Sequence, residues 1–115
     1  MYSAKMYSVN ILDMAVEDIV ERIDYVRNRW GDDVADNAYI ELMDKLALLE
    51  TQPRMGSVPT ELSKLGISTF RVLVHASHTK VLYELDDETA TIHIHMVFSS
   101  NQDFQALLYK RLMRS

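Results

Sequence analysis

The sequence predicts an α+β domain in which an N-terminal strand and an α-helical hairpin pack on an antiparallel β-sheet, followed by a short C-terminal helix. Apolar residues recur every three or four positions across residues 14–52, which is the spacing of a helix face. From residue 69 onward they alternate, which is the spacing of strands. Helices and strands that are segregated along a chain in this way are typical of α+β domains.

The N-terminal strand is predicted from the alternation of Tyr7, Val9 and Ile11 with their neighbours. Asp13 is then expected to cap a helix that begins at Met14, because its carboxylate can accept hydrogen bonds from the first free amides. The apolar face of this helix is predicted to hold Val16, Ile19, Val20, Ile23, Val26 and Trp30.

Gly31 is expected to end the first helix, and Asp32 or Asp33 to cap a second one. The inner face of the second helix is predicted to hold Val34, Ala35, Ala38, Leu42, Leu46 and Leu49. Two prolines and a glycine within residues 53–59 stop it. Because so short a turn joins them, the two helices are expected to fold back as an antiparallel hairpin.

Three runs rich in β-branched and aromatic residues follow the loop, namely FRVLV at 70–74, TKVLYELD at 79–86 and TIHIHMVF at 91–98. They predict a meander of three antiparallel strands, with the first strand of the chain joining at the sheet edge. Ser100–Asp103 fits a capping box for the terminal helix. The apolar side of that helix is predicted to hold Phe104, Leu107, Leu108 and Leu112.

Length and composition predict a single domain spanning residues 1–115. With 48% apolar and 25% charged residues, the chain can bury a core without a disulfide or a metal. The absence of cysteine excludes disulfide frameworks, thiolate metal centres and cysteine nucleophiles. Neither a membrane-spanning run nor a signal peptide is evident, so we expect a cytoplasmic protein with no membrane partner. The net charge of −5 argues against broad, sequence-independent binding of nucleic acid.

Several short motifs follow one another along nearly the whole chain. They are an A-x-x-D-[IL] helix start at Ala15–Ile19, a P-x-x-G turn at Pro53–Gly56, a Val-Pro segment that leads to Leu62, [FY]-R-x-L-V at Phe70–Val74, [RK]-V-x-Y-E at Lys80–Glu84 and D-F-x-x-L-L-x-x-R-L at Asp103–Leu112. In this order and spacing, the chain resembles the RelE/ParE superfamily of bacterial toxins from type II toxin-antitoxin modules. The resemblance implies growth inhibition, plasmid stabilisation and a cognate antitoxin as partner.

The resemblance also implies one of two activities. RelE-like members cut mRNA on the ribosome with basic and tyrosine or histidine side chains, whereas ParE-like members inhibit DNA gyrase without cutting RNA. Arg71 and Lys80 match two basic positions of the nuclease branch. Leu73 occupies a further basic position, residues 99–101 replace an expected arginine, and Phe104 stands near an expected tyrosine. Because the nuclease set is incomplete, we expect a ParE-like gyrase inhibitor, with the ribosome and mRNA as the alternative target.

Histidines on the predicted strands offer a second kind of chemistry. His93 and His95 point to the same face of their strand, and a neighbouring strand could bring His75 beside them. A catalytic set for the nuclease alternative would be Arg71, Lys80, His75 and His95. The simpler interpretation is a solvated sheet face, with Ile92, Ile94, Met96 and Phe98 facing the helices. We expect no metal site and no cofactor.

A cluster of cations ends the chain. Lys110, Arg111 and Arg114 either contact an acidic surface on a target or antitoxin, or compensate the dipole of the terminal helix. With Arg71 and Lys80 they form the predicted target-binding set.

Two further interpretations concern single residues and the scaffold. Tyr83 is interpreted as a packing residue with its hydroxyl in water. A non-toxic interaction module on the same scaffold is a third functional alternative. The residues leave open whether two copies pair through the hairpin, and whether Met1 or Met6 starts the chain.

Overall fold

The computed structural model describes residues 6–76 and 78–114. It has the predicted order of strands and long helices, and it adds one short helix in the region that the sequence predicts as a loop. The elements are β1 (Ser8–Ile11), α1 (Asp13–Trp30), α2 (Asp32–Ala47), a 3₁₀ turn (Leu48–Glu50), α3 (Thr60–Ser63), β2 (Phe70–His75), β3 (Thr79–Asp86), β4 (Thr91–Ser99) and α4 (Phe104–Arg114). Within the described ranges, no helix is long and apolar enough to cross a membrane.

The four strands form one sheet in the order β1-β4-β3-β2. The antiparallel meander of β2, β3 and β4 is confirmed, and β1 lies at the edge as expected. However, β1 runs parallel to β4, with Ser8 opposite Thr91, so the sheet is mixed rather than wholly antiparallel. The amide of Leu12 donates a 3.1 Å hydrogen bond to the carbonyl of Ile94, which holds the end of β1 against β4 where the first helix begins.

A β-bulge divides β4 into two halves. Leu82 lies opposite Met96, but its neighbour Tyr83 lies opposite Ile94, so His95 is an extra residue on β4. Because side chains alternate along a strand, one extra residue exchanges the two faces beyond the bulge.

The bulge gives the sheet an apolar layer on each face. On the face that carries α1 and α2, the hairpin side, the buried strand residues are Leu73, Val81, Tyr83, Leu85, Ile92, Ile94 and Val97, packed with Ala15, Ile19, Leu42, Leu46 and Leu49. On the opposite face, the α4 side, Leu82, Met96 and Phe98 pack with Phe70, Val72, Phe104, Leu107 and Leu108. The prediction that Met96 and Phe98 face the helical hairpin is therefore wrong, because the bulge turns them toward α4.

The ends of the first two helices differ from the predicted caps. Leu12 is the N-cap of α1, and Gly31 is both the C-cap of α1 and the N-cap of α2. No side chain caps either helix, so the predicted caps at Asp13 and at Asp32 or Asp33 are wrong; these residues lie inside the first turns. Gly31 ends α1 as predicted, with a φ of 94° that favours glycine.

The cap of α4 lies three residues later than the capping box suggests. The carboxylate of Asp103 accepts hydrogen bonds from the amides of Gln105 and Ala106 at 3.0 and 3.3 Å. Ser100 donates its amide to the carbonyl of His78 instead. Asp103 is thus the capping residue itself rather than the partner of a Ser100 cap.

Part of the predicted inner face of the hairpin lies in solvent. Val16, Val20, Trp30 and Val34 are exposed, whereas Ala15 is fully buried. Consecutive residues of a helix point about 100° apart, so a stripe centred on Ala15 turns Val16 and Val20 away from the sheet. The hairpin consequently presents apolar side chains on its outer side.

Candidate functional site

The sheet separates the two cations that match the nuclease branch. Arg71 lies opposite Tyr83 on the hairpin side, whereas Lys80 lies opposite Phe98 on the α4 side. Directly opposed residues of antiparallel strands project to the same face. Arg71 and Lys80 therefore project from opposite faces of the sheet.

The histidines divide in the same way. His75 alternates with Leu73 and shares the hairpin side with Arg71. His95 has its Nε2 atom 2.9 Å from Oε1 of Glu84, and its ring lies 5.0 Å from that of Phe70 on the α4 side. The four residues of the predicted nuclease set are thus split into two pairs, one on each face.

His93 does not complete a three-imidazole site with His75 and His95. His93 lies opposite Glu84, and its Nδ1 atom is 3.2 Å from Nδ2 of the Asn10 side chain. His75 lies across the sheet from it. In the part of the chain that the structure describes, no group of three or more metal-ligating side chains is close enough to hold an ion.

Arg71 and Tyr83 fasten the loop that carries the P-x-x-G motif. Arg71 donates from Nη1 to the carbonyls of Gly56 and Arg54 at 2.7 and 3.3 Å, and its Nε atom is buried without a hydrogen-bond partner in the described region. The Tyr83 hydroxyl donates to the carbonyl of Pro53 at 2.8 Å and accepts from the amide of Gly56 at 2.9 Å. Burial raises the pKa of Tyr83 above its usual value. The expectation of a hydroxyl in water is wrong, although Tyr83 does pack in the core.

The positions that lack the catalytic side chains expected for the nuclease branch have other roles in the fold. Leu73 is buried in the hairpin-side core, where a charged side chain would be desolvated. Phe104 stacks on Phe98 with ring centroids 5.5 Å apart. Ser99 donates its amide to the side chain of Gln102 at 2.8 Å and so shapes the turn into α4.

Arg111 joins α4 to α1 and to β4. Its Nη2 atom lies 2.9 Å from both carboxylate oxygens of Asp18, and its Nη1 atom donates to the carbonyl of His95 at 2.6 Å. Asp18 also accepts the amide of Val97 at 3.0 Å. The Arg111 and Asp18 side chains are only 17% and 19% exposed.

The other terminal cations differ from Arg111. Lys110 is exposed, and the side chain of Arg114 lies outside the described residues. Target binding by these cations stays a prediction. The ion pair between Asp18 and Arg111 was not predicted from the sequence, although both residues belong to the motifs quoted above.

A cleft opens between α1, the end of β4 and α4, with a volume of about 560 Å³. Tyr25 and Trp30 stand at its rim, both more than half exposed, with their rings edge to face at 6.0 Å. Arg22 also lines it, and the Arg29 guanidinium lies 5.4 Å from the Trp30 ring. Helical periodicity missed this site because it assigned Trp30 to the buried face.

Protonation of His75 should destabilise the protein. Burial first, and the charge of Lys45 second, lower the pKa of His75. Arg22 adds to this effect, whereas Glu41 opposes it. Because the unfolded chain gains the proton at a higher pH, stability is lost as the pH falls through the ordinary histidine value of about 6.5. We expect urea denaturation to show a steeper loss of unfolding free energy below about pH 7 for wild type than for His75→Gln. Equal pH profiles would contradict this expectation.

Residues 9–104 match the family model described as the ParE toxin of the type II toxin-antitoxin system parDE. Comparison with curated protein sequences gives no significant match. Several solved structures have a similar fold. One is the chromosomal ParDE TA system from P. aeruginosa, with a TM-score of 0.66 and 15% identity over 83% of this chain and 97% of that chain.

Two others come from RelE-type systems. The RelBE2 toxin-antitoxin complex from Mycobacterium tuberculosis gives a TM-score of 0.60 and 16% identity, covering 87% of this chain and 98% of that chain. A mutant of the E. coli toxin RelE in the free state gives a TM-score of 0.59 and 14% identity, covering 95% of this chain and 96% of that chain. At these identities the structures show the fold alone.

Proposed function

Because the chain belongs to the ParE toxin family of type II toxin-antitoxin systems, we propose that it inhibits DNA gyrase and is neutralised by a cognate antitoxin. The solved ParDE and RelBE2 systems that share its fold support an antitoxin partner. The choice of gyrase over mRNA rests on the arrangement of the candidate catalytic residues.

The separation of these residues on two faces of the sheet carries the proposal. Cleavage of RNA through its 2′-hydroxyl needs a base, a proton donor and cations gathered around one phosphate. Here Arg71 and His75 lie on the hairpin side, while Lys80 and His95 lie on the α4 side. Arg71 also donates hydrogen bonds to carbonyl groups of the loop that carries the P-x-x-G motif, so these donors do not face a substrate. This arrangement favours inhibition by binding over phosphodiester chemistry.

Charge supports the same choice. A site on the ribosome is surrounded by phosphates, which attract cationic proteins and repel anionic ones. With a net charge of −5, the chain is poorly suited to such a site. Within the predicted target-binding set of Arg71, Lys80, Lys110, Arg111 and Arg114, the Lys80 and Lys110 ammonium groups form no ion pair among the described residues.

One observation favours mRNA cleavage as a second candidate. His95 and Glu84 form a hydrogen-bonded pair at 2.9 Å, and Lys80 projects from the same face of the sheet. Histidine and carboxylate side chains are common proton donors and acceptors in general acid-base catalysis. This pair would supply the general acid and the general base of a nuclease that has fewer catalytic residues than the RelE-like branch.

Adding the purified chain to gyrase and relaxed plasmid tests the proposal. We expect inhibition of supercoiling and accumulation of cleaved DNA, while mRNA in a translation reaction stays intact. Lys80→Gln should weaken inhibition by about fivefold, because it removes an unpaired cation from the surface. Lys64→Gln, an equal change of charge at an exposed residue of the preceding loop, should leave inhibition unchanged.

Other outcomes separate the alternatives. Ribosome-dependent cuts in the mRNA that disappear with His95→Gln would replace gyrase inhibition with the nuclease function. No effect on gyrase, no mRNA cleavage and no growth arrest on overexpression would indicate a non-toxic interaction module.

A further inference from the structure

The outer side of the helical hairpin carries exposed apolar side chains on both of its helices. Val20 of α1 and Ile40 of α2 are 53% and 54% exposed, and Val16, one turn before Val20, is also exposed. Apolar residues that are exposed singly are ordinary on a protein surface, whereas a continuous apolar surface is typical of an interaction site. The position of the two helices relative to each other therefore decides what these residues mean.

An ion pair between the helices brings the exposed residues to a common seam. Arg27 of α1 pairs with Asp36 of α2 at 3.3 Å. Residues four or seven positions apart share one face of a helix. Val20 lies seven residues before Arg27, so it projects toward the same seam. Ile40 lies four residues after Asp36 and does the same from the other helix. Val20 and Ile40 thus border one seam on its solvent side.

Carboxylates flank this apolar stripe on both helices. The same spacing places an aspartate seven residues before and four residues after each of Val20 and Ile40, namely Asp13, Asp24, Asp33 and Asp44. All four are exposed, and none forms an ion pair within the described ranges. Arg27, the cation at the seam, already pairs with Asp32 and Asp36. The outer hairpin face, meaning Val16, Val20 and Ile40 with these four aspartates, is therefore apolar along its middle and negative at its borders.

The charge of the outer hairpin face selects among possible occupants. A second copy that pairs through a two-fold axis would bring the four aspartates against the same four aspartates, and like charges repel. Nucleic acid and anionic lipid are repelled for the same reason. A helix with an apolar stripe flanked by lysine or arginine would cover Val20 and Ile40 and neutralise the carboxylates. The seam between two helices also provides a groove in which a third helix can lie.

We propose that the outer hairpin face binds a basic amphipathic helix of another protein. Apolar side chains of that helix pack on Val20 and Ile40, and its cations lie against the four aspartates. Arg22 and Val26, which line the cleft beside α4, project about 120° to 160° away from Val20 around α1. Ligands of the cleft and of the outer hairpin face can therefore be bound at the same time. The inference does not depend on gyrase inhibition.

Fluorescence anisotropy of labelled synthetic peptides tests the chemistry of the partner. The first peptide has leucine at the spacing of one helix face and lysine on both borders. The second has glutamate in place of each lysine, and the third has the residues of the first in an order that breaks the stripe. We expect the first to bind the full chain at least about tenfold more tightly than the other two, and more weakly as salt is added. Equal binding of either control peptide would overturn the proposal.

Ile40→Ser tests the apolar stripe. It should bind the lysine peptide about tenfold more weakly than wild type, because it removes an apolar contact at the centre of the face. Leu65→Ser is the matched control, since Leu65 is 72% exposed and follows α3, and it should bind like wild type. Thermal melting shows whether both variants are folded. Equal binding by folded Ile40→Ser would exclude the stripe as the contact surface.

The double variant Asp24→Asn with Asp44→Asn tests the charged borders. It should bind the lysine peptide about fivefold more weakly at low salt and respond less to added salt. Glu61→Gln with Glu88→Gln removes the same charge from loops outside the hairpin and should bind like wild type. If the two double variants lose the same affinity, only the net charge of the chain matters and the proposed face is wrong.

Two further measurements identify the occupant. The purified complex with the cognate antitoxin should bind the lysine peptide as tightly as the free chain does. Loss of binding in the complex would assign the face to the antitoxin and overturn a further protein partner. In sedimentation, we expect no dimer that depends on Ile40, and a dimer abolished by Ile40→Ser would replace the basic helix with a second copy. A negative supercoiling assay leaves both results intact.

Discussion

Asp18→Asn is expected to lower the free energy of unfolding by about 3 kcal/mol and to loosen α4. The change leaves Arg111 without its counterion in a place where the side chain is only 17% exposed. Removing one partner of a buried ion pair costs more than the pair contributes, because the remaining charge stays desolvated. The same carboxylate also accepts the amide of Val97, and the single side-chain oxygen of asparagine cannot serve both this amide and the two contacts with Arg111.

Urea denaturation measures this loss, and limited trypsin digestion reports whether α4 detaches. Asp24→Asn is the matched control, because this substitution removes the same charge from the exposed side of the same helix. It is expected to change the unfolding free energy by less than about 0.5 kcal/mol. If both variants unfold at the same urea concentration, the pair does not hold α4 in place.

Gly56→Ala is expected to cost about 3 kcal/mol of stability. A Cβ atom at this position would lie 2.7 Å from the carbonyl oxygen of Val72 and 2.9 Å from its carbonyl carbon. These are backbone atoms of the central part of β2, so the loop has to move instead. Its movement would break the 2.9 Å hydrogen bond from the Gly56 amide to the Tyr83 hydroxyl.

Gly66→Ala separates this clash from ordinary glycine strain. Gly66 has a φ of +78°, but a Cβ atom there would meet nothing within 4 Å. We expect it to cost about 1 kcal/mol, from backbone conformation alone. Thermal melting of both variants checks the difference. A Gly56→Ala protein that melts together with Gly66→Ala would show that the loop yields freely.

The element order could be predicted because it depends on local spacing. The change from a period of three or four to a period of two falls in the loop between α2 and β2, and Gly31 marks the helix turn. The caps at Asp13 and at Asp32 or Asp33 were mispredicted for a tertiary reason. Pairing of β1 with β4 brings Leu12 to the start of α1, and the turn at Gly31 leaves no residue before α2 for a side-chain cap.

The bulge could not be predicted from the alternation of apolar and polar residues. Residues 91–98 alternate without a visible break up to Met96, and the choice of His95 as the extra residue depends on where β3 pairs. That one residue decides whether Met96 and Phe98 pack under the hairpin or under α4.

The candidate site depended on the same kind of information. Arg71 and Lys80 fall on opposite faces because the turn between β2 and β3 sets Val74 opposite Lys80. Asp18 and Arg111 lie 93 positions apart, and only the packing of α4 brings them together.

The position of β1 has a consequence for synthesis of the protein. This edge strand bonds to β4, with Asn10 opposite His93 at a separation of 83 residues. A nascent chain cannot complete its sheet before β4 has left the ribosome. The α4 helix, whose Arg111 pairs with Asp18 of α1, emerges later still. Polypeptides released early by a stalled ribosome are therefore expected to be harmless and readily degraded, so that poisoning of the host begins only with nearly full-length translation.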